Sequence, residues 1–274
     1  MNKDCYYFEL LKYDYGVLDN FIDITYIITL EGNGRLENIY NQLSKIIPTK
    51  NVFIVYNKGY KKCHKELAIY SSVYDIIDAN MQILNHASNN NYNNILVLED
   101  DFIFSDNIKN SEIINEIQLL FYKNKNIPFM FNLGPIPFLF YPNPMNNIKQ
   151  SIFSTNAHAN IYNKRLIDQI LKNSTLNYPL WHWDLYLNLY KQYFYKDPII
   201  YQTYPLTENR KNWTSFIFLN NIINYIIEYY NLDKTPQPGF NNAYTIFFII
   251  NYFIFFIINY FLFFIIIGLH QPKR

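Results

Sequence analysis

The chain has 274 residues, a formal net charge of +1, 16% charged residues and 19% aromatic residues. This length is sufficient for one large domain with a substantial core, and the balanced charge excludes a general electrostatic attraction to nucleic acid. Cys5 and Cys63 are too few for a disulfide framework and lack the spacing of metal ligands, so we expect a reducing compartment or no specific use for them. The N-terminal segment contains acidic residues and no long apolar stretch, which predicts no secretory signal.

The first half of the chain predicts alternating strands and helices. Residues 21–30 form an apolar run typical of a buried strand, and residues 36–46 then place apolar side chains on one helical face. A short strand at 51–57, a helix ending at Ser88 and a third strand at 95–98 follow. This order implies parallel strands joined by right-handed crossovers.

The second half continues with less regular elements. Ser111 is a candidate N-cap of the next helix, and residues 129–134 predict a strand. The four prolines in residues 135–144 predict an irregular segment or an edge strand. The remaining predictions are a strand-like stretch (150–162), a helix (164–173), an amphipathic helix (181–193), a short strand (197–202) and a last amphipathic helix (215–230).

The C-terminal segment differs in composition from the rest of the chain. Residues 233–243 contain two prolines and a glycine, which is typical of a linker, so we predict a domain over 1–232. Residues 244–269 carry no charge and exceed the roughly 20 residues that cross a bilayer, which predicts a transmembrane helix. The repeat FFIINYFI, FFIINYFL, FFIII also fits an alternative, a low-complexity product of an AT-rich reading frame.

Three adjacent carboxylates, Glu99, Asp100 and Asp101, end the third predicted strand. Ligands of open α/β sheets bind beyond the carboxyl ends of the strands, and carboxylate oxygens suit Mg²⁺ or Mn²⁺. Such a cation would neutralise a departing diphosphate. Strand alternation places Glu99 and Asp101 on one side and Asp100 on the other. The tripeptide by itself favours a solvated acidic turn after a buried strand, and only its sequence context favours the metal site.

Several segments, in the same order, resemble glycosyltransferase family 25, the lipopolysaccharide and collagen galactosyltransferase type. They are TYIITLEGNGR (25–35), ILVLEDDFIF (95–104), STNAHANIYNKRLIDQIL (154–171), WHWDLYLNL (181–189) and PIIYQ (198–202). LTENRKNW (206–213) is similar to a variant found in large DNA viruses. Thr29 departs from this pattern, because the family has an asparagine in its first strand.

This resemblance implies a GT-A-like α/β fold, with a mixed, mostly parallel sheet flanked by helices. The implied enzyme is a metal-dependent glycosyltransferase that moves a hexose, galactose or glucose, from a nucleotide-diphosphate sugar such as a UDP-hexose. The acceptor would be a hydroxyl of a glycan, lipid or protein, and the reaction would invert the anomeric centre. A catalytically decayed, membrane-anchored binding or scaffold protein is the alternative. A phosphotransferase or nuclease lacks support, because the chain has no P-loop and no basic groove.

The resemblance also assigns roles to individual residues. Asp101 is the first choice for a ligand of Mn²⁺ or Mg²⁺, with Glu99 and Asp100 as further candidates. Asp184 is the candidate general base and His182 its rival. The candidate donor contacts are Arg35, Glu99, Asp100, His158 and Arg210. Each has an ordinary structural alternative, such as a helix-start carboxylate or a buried histidine. We expect a single-pass C-terminal anchor with the catalytic domain facing the cytosol.

Overall fold

The computed structural model describes residues 3–143, 145–174, 182–205, 210 and 217–269. Its strands are β1 (Tyr6–Lys12), β2 (Ile24–Leu30), β3 (Asn51–Asn57), β4 (Asn94–Glu99), β5 (Phe102–Phe104), β6 (Phe129–Asn132), β7 (Ile136–Phe140), β8 (Ile148–Thr155), β9 (Ala159–Asn163), β10 (Lys191–Tyr195) and β11 (Ile200–Gln202). Its helices are α1 (Leu36–Lys45), α2 (Ser72–Asn89), α3 (Ser111–Lys123), α4 (Lys164–Ser174), α5 (Trp183–Leu187), α6 (Ile217–Tyr229) and α7 (Gly239–Leu269). Short 3-10 helices span Lys3–Cys5 and Asp106–Lys109.

Nine strands form one mixed sheet in the order β1-β3-β2-β4-β9-β6-β10-β8-β7, and β5 pairs with β11 in a separate ribbon. Three of the eight pairings in the large sheet are parallel and five are antiparallel. All strands except β1, β8 and β9 point in one direction. The expectation of a mostly parallel sheet therefore holds for strand direction and is wrong for strand pairing.

The alternating side chains of the central strands build a core on each face of the sheet. On β2, Ile27 faces the helices α1 and α3, whereas Tyr26 and Ile28 face α2, α4 and α5. β4 follows the same alternation, because successive side chains of a strand point to opposite faces. The central strands are therefore covered on both sides, which explains their continuous apolar sequences.

The structure corrects the predicted helix over 181–193 and the predicted N-cap of α3. The amphipathic helix predicted over 181–193 is only α5, five residues long, and the chain then enters β10 between β6 and β8. The aromatic side chains of this segment fit a strand once two neighbouring strands are present, so tertiary pairing overrides the helical period. At α3 the N-cap is Asn110 and not Ser111, because the Asn110 side chain accepts hydrogen bonds from Glu112 and Ile113.

The two cysteines form a disulfide, which contradicts the expectation of unpaired thiols. Cys5 precedes β1 and Cys63 lies in the connection between β3 and α2, with a Cα–Cα distance of 5.6 Å. A separation of 58 residues hid this pair in the sequence. The antiparallel pairing of β1 with β3 brings the two segments together.

The C-terminal helix α7 begins at Gly239, inside the segment predicted as a linker, and continues without interruption to Leu269. Residues 239–261 are long and apolar enough to cross a membrane, and little of this stretch is buried. Its first turns pack with α6 and with the β7 end of the sheet, in a third apolar cluster that includes Phe140, Phe194 and Tyr244.

Candidate functional site at the carboxyl edge of the sheet

The strands β2, β3 and β4 are parallel, so they end at the same edge of the sheet. The connection after β2 contains Gly32 and Gly34, both with φ +77°, a backbone conformation that glycine adopts without steric cost. These two glycines turn the chain back over the end of β4. Asn33 and Arg35 thereby reach the carboxylates that follow this strand.

Asp100, directly after β4, binds the end of β2 and the loop that follows it. Its carboxylate accepts hydrogen bonds from Thr29 Oγ1 (2.8 Å), Asn33 Nδ2 (2.5 Å) and Arg35 NH1 (2.5 Å). Asn38 also donates to the Asp100 carbonyl. The side chain is buried, and these donors together satisfy its charge. Asp100 therefore fixes the loop geometry, and Thr29, the departure from the family pattern, contributes to the same contact.

Asp101 is buried beside a different partner. Gln202 Nε2 lies 3.1 Å from both carboxylate oxygens, and Arg35 NH1 lies 3.5 Å from one of them. Burial and the neighbouring Asp100 charge raise the pKa of Asp101 to about 7, against the opposing effect of Arg35. β4 ends at Glu99, and Arg35 NH1 touches both aspartates, so the expected placement of Asp100 and Asp101 on opposite sides is wrong.

Glu99 is partly exposed, and its carboxylate accepts no hydrogen bond from the part of the chain that the structure describes. Its backbone N–H is bound to the His158 carbonyl (2.8 Å), which fixes the end of β4. Burial, followed by the charges of Asp101, Asp184 and Asp100, raises the pKa of Glu99 well above its usual value. The charge of Arg35 opposes this rise. Glu99 is thus an acid without a hydrogen-bond donor among the described residues, within electrostatic reach of three other carboxylates.

Asp184 lies in the first turn of α5 and binds the backbone directly before His158, the residue whose carbonyl holds the end of β4. Its two oxygens accept the backbone N–H groups of Asn156 (3.0 Å) and Ala157 (3.1 Å). Burial raises the pKa of Asp184, and these two hydrogen bonds oppose the rise. His182 precedes it as the N-cap residue, and its charge also acts on Asp184. The structure therefore brings both candidates for the base to the carboxylates.

Two neighbours of the carboxylates were not predicted as site residues. Gln202 binds Asp101 from the ribbon strand β11, and Tyr204 is buried two residues later. Burial, followed by the charges of Asp101, Asp184 and Glu99, raises the pKa of Tyr204, so its phenol lies within electrostatic reach of these acids. The PIIYQ segment provided a signal for Gln202. Nothing in the sequence distinguished Tyr204 among 27 tyrosines.

His158 and Arg210 have structural partners in place of the expected contacts with a donor. The His158 ring is 1% exposed, and its Nε2 lies 3.3 Å from the Ile200 carbonyl. Burial lowers the pKa of His158 to about 4, so this ring is neutral at physiological pH. Arg210 is buried and donates to the Tyr204 carbonyl and to Asn224 of α6. Residues 206–209 and 211–216, which carry the rest of the LTENRKNW segment, lie outside the described residues.

Within the described residues, no group of three or more His, Cys, Asp or Glu side chains is arranged to enclose a metal ion. Mg²⁺ usually takes only one or two carboxylates from the protein and completes its shell with water and phosphate oxygens. The unpaired Glu99 and the adjacent Asp101 are chemically suited to that smaller share. Asp100 is the least suited of the three, because protein donors already bind its oxygens.

The described residues cover the carboxylates instead of leaving them in an open cleft. Asp100 and Asp101 are 5% and 8% exposed, and a crevice that reaches Asp184 has no room for a water molecule. A cavity of about 330 Å³ lies at the opposite edge of the sheet, lined by Asp19, Asp23 and Lys50 among others. That cavity is remote from the four acids, so it does not serve their chemistry.

Comparisons with known proteins give little further information. No protein-family profile and no curated protein matches the chain. Structural comparison matches 26 solved chains, among them the crystal structure of A197 from STIV. That structure has a TM-score of 0.40 and 10% sequence identity, over 68% of this chain and 86% of that chain. A likeness this distant carries no argument about function.

Proposed function

We propose that the chain is a metal-dependent glycosyltransferase with a GT-A-like domain, which transfers a hexose from a nucleotide-diphosphate sugar to an acceptor hydroxyl. The proposal rests on the resemblance of its motifs and on one observation in particular. Glu99 is an unpaired, partly exposed carboxylate at the carboxyl edge of the sheet, beside Asp101 and Asp184. An acid with a raised pKa among other acids is typical of functional sites, because folding alone would not retain it.

Glu99 and Asp101 are the residues that would hold Mn²⁺ or Mg²⁺. A bound cation would act as a Lewis acid and share the negative charge of the leaving diphosphate. Deprotonated carboxylates bind cations, so the raised pKa values of these two acids make them release protons when a cation arrives. Gln202 keeps the Asp101 oxygens in place through two hydrogen bonds.

Asp184 is the proposed base for the acceptor hydroxyl. Two backbone N–H groups hold its oxygens in a fixed orientation, and each oxygen keeps a further lone pair. Its raised pKa makes this carboxylate a stronger base than an ordinary solvent-exposed aspartate. His182, partly exposed and directly before α5, is the rival base.

Arg35 has a second part in this proposal. Its guanidinium contacts Asp100 and Asp101, and its side chain is 23% exposed. A cation at Asp101 would compete for this ion pair and leave part of the guanidinium available to a phosphate oxygen. Donor binding also requires the cover over Asp101 to open, because this residue is only 8% exposed.

The membrane anchor belongs to the same proposal, but its orientation changes. The sequence favoured a domain in the cytosol. The Cys5–Cys63 disulfide instead favours an oxidising compartment, since cytosolic thiols are kept reduced. We therefore propose that the domain faces the oxidising side of its membrane.

The test is thermal unfolding of the full chain in detergent with UDP-glucose or UDP-galactose, each with and without Mn²⁺. A donor that binds the folded state raises the melting temperature as its concentration exceeds the dissociation constant. We expect stabilisation only when the donor and the cation are present together. We also expect this stabilisation to be lost in Asp101→Asn and kept in Asp106→Asn, an exposed aspartate five residues later.

The alternative, a decayed binding or scaffold module, is supported by a specific observation. Arg35 already supplies a positive charge to Asp100 and Asp101, so the aspartates are stable without a cation. The donor would not change the melting temperature of a scaffold, either with or without Mn²⁺. It would also tolerate Asp101→Asn without change in any ligand response.

A further inference from the structure

The first half of the apolar helix α7 is attached to the domain. Phe240 and Tyr244 are buried in the cluster that α7 shares with α6 and the sheet. The Phe248 ring lies 4.6 Å from that of Phe140 on β7, and the Tyr244 ring lies 6.4 Å from that of Phe194 on β10. These contacts extend over the turns of α7 that the sequence assigned to the membrane.

Asn251 makes the most specific contact between α7 and the sheet. Its side chain is completely buried, its Oδ1 accepts the Phe140 N–H (3.0 Å) and its Nδ2 donates to the Phe140 carbonyl (3.0 Å). β7 is the last strand of the sheet, so one side of its backbone lacks a neighbouring strand. The Asn251 amide replaces that neighbour at one residue, and the unpaired edge is partly satisfied.

The octapeptide repeat provides an internal control for this contact. Asn251 lies in FFIINYFI (247–254), and Asn259 occupies the same position in FFIINYFL (255–262). Asn259 is exposed, and its Nδ2 donates only to the Phe255 carbonyl of its own helix (2.8 Å). The same asparagine of two nearly identical sequences therefore has different environments: among the described residues Asn251 binds the sheet, whereas Asn259 binds its own helix.

The exposed apolar surface of α7 continues onto the sheet. The Phe247 ring lies 5.0 Å from that of Phe138 on β7, and Phe138 lies 5.8 Å from Phe153 on β8. Phe138 and Phe153 are about 40% exposed (41% and 39%), as are several outward residues of α7. No Asp, Glu, Lys or Arg occurs between residues 235 and 272. A large uncharged surface of this kind marks an interaction site.

The length of the helix indicates which partner covers this surface. After Tyr252, 17 residues of α7 remain up to Leu269 (269 minus 252), or about 25 Å at a rise of roughly 1.5 Å per residue. The hydrocarbon core of a bilayer is about 30 Å thick. A segment of this length is somewhat short for a complete span, and the first half of α7 with its neighbouring phenylalanines supplies the missing apolar depth.

We propose that Asn251 fastens α7 to the β7 edge, so that Phe138, Phe153 and the outer face of α7 rest together on the lipid bilayer. The domain is then held directly against the membrane, in place of hanging from a flexible tether. The partner is the lipid itself, because the surface is uncharged and continuous with a helix long enough to span. This inference does not depend on the proposed glycosyl transfer.

The fastening is tested by hydrogen exchange on the full chain in phosphatidylcholine nanodiscs, with Asn251→Ala and its matched control Asn259→Ala. Asn251→Ala removes the acceptor of the Phe140 N–H, so we expect exchange of this amide to become about tenfold faster, which corresponds to roughly 1.4 kcal/mol. Asn259→Ala should leave this amide unchanged. Equal exchange in the two variants would overturn the inference.

The lipid contact is tested with a photoactivatable phosphatidylcholine in the same nanodiscs, with crosslinked peptides identified by mass spectrometry. We expect crosslinks at Phe138 and Phe153 as well as on α7, and none at Tyr7, which is exposed on β1 at the opposite edge of the sheet. Asn251→Ala should reduce the crosslinks at Phe138. Crosslinks confined to α7 beyond Tyr252 would mean a tethered domain, and protection of Phe138 in a dimer would mean a second copy; either result contradicts the proposal.

Discussion

Two polar clusters lie at the same edge of the sheet and differ in how their charges are compensated. The lysine cluster consists of Lys65, Asp75, Asp78, Tyr6 and Asn57, at the end of β3. The carboxylate cluster consists of Glu99, Asp100, Asp101 and Asp184, near the end of β4. Both are largely withdrawn from solvent, which makes an uncompensated charge costly.

In the lysine cluster every charged group has a partner. The Lys65 side chain is fully buried, and its Nζ donates to Tyr6 Oη (2.6 Å), Asn57 Oδ1 (2.6 Å) and Asp75 Oδ1 (2.5 Å). Tyr6 in turn donates to Asp78 (2.7 Å). The Cys5–Cys63 disulfide ties the same connection to the segment before β1.

In the carboxylate cluster the compensation is incomplete. Asp100 has three donors and Asp101 has Gln202, but Glu99 has no partner among the described residues. A charged group that is withdrawn from water stabilises the fold only when hydrogen bonds or opposite charges compensate it, so an acid without a partner lowers stability. The contrast fits a folding role for the lysine cluster and the binding or catalytic role that we propose for the carboxylate cluster. Substitutions in each cluster test these two roles.

The largest effect is expected for Lys65→Met. Removing the lysine leaves the buried Asp75 and the partly buried Asp78 without their cation, which should lower the free energy of unfolding by about 3–5 kcal/mol. Urea unfolding of the full chain in detergent measures the change. Lys62→Met, an exposed lysine in the same connection, is the control and should change stability by less than about 0.5 kcal/mol. A similar loss in both variants would contradict a specific role for Lys65.

The double variant Cys5→Ser, Cys63→Ser should have the next largest effect. The disulfide closes a loop of 58 residues, and losing it should cost about 2–4 kcal/mol through the greater freedom of the unfolded chain. Unfolding with and without dithiothreitol provides the check. The reductant should destabilise the natural chain and leave the double variant unaffected.

The smallest expected change has the opposite sign. Because the pKa of Glu99 is raised on folding, the native state holds a proton that the unfolded chain releases near pH 4. The stability contributed by this proton is present below about pH 4 and is lost as the pH rises. Glu99→Gln should therefore stabilise the protein at pH 8, where Glu99 of the unfolded chain is ionised, and should change its stability little at pH 4.

Thermal unfolding across this pH range measures the Glu99→Gln effect. Asp101, with a pKa of about 7, contributes in the same direction. Both proteins should therefore lose stability between pH 4 and 8, and the loss should be larger in the natural chain than in Glu99→Gln. If Glu99→Gln destabilised the protein at pH 8, the charge of Glu99 would be compensated in the folded state. The two clusters would then not differ in the way described above.

Local sequence patterns predicted much of the fold. The strand at 51–57 has the predicted bounds, and the central strands, most helices and the edge position of the proline-rich segment were also identified. Patterns failed where a partner strand decides the conformation, as at β10, and where the pattern was weak, as at β1. The spacing of apolar residues indicates which face of a helix or strand is buried, but it does not indicate which strand will pair with it.

The sequence by itself determined that acids follow a buried strand and that an uncharged helix ends the chain, because both are properties of consecutive residues. Only the tertiary structure decided which acid remains unpaired, since Thr29, Asn33, Arg35 and Gln202 reach the site from other segments. It also separated Asn251 from Asn259, which have the same local sequence. A hydrogen bond between distant segments depends on the path of the whole backbone, and this path gives identical side chains different roles.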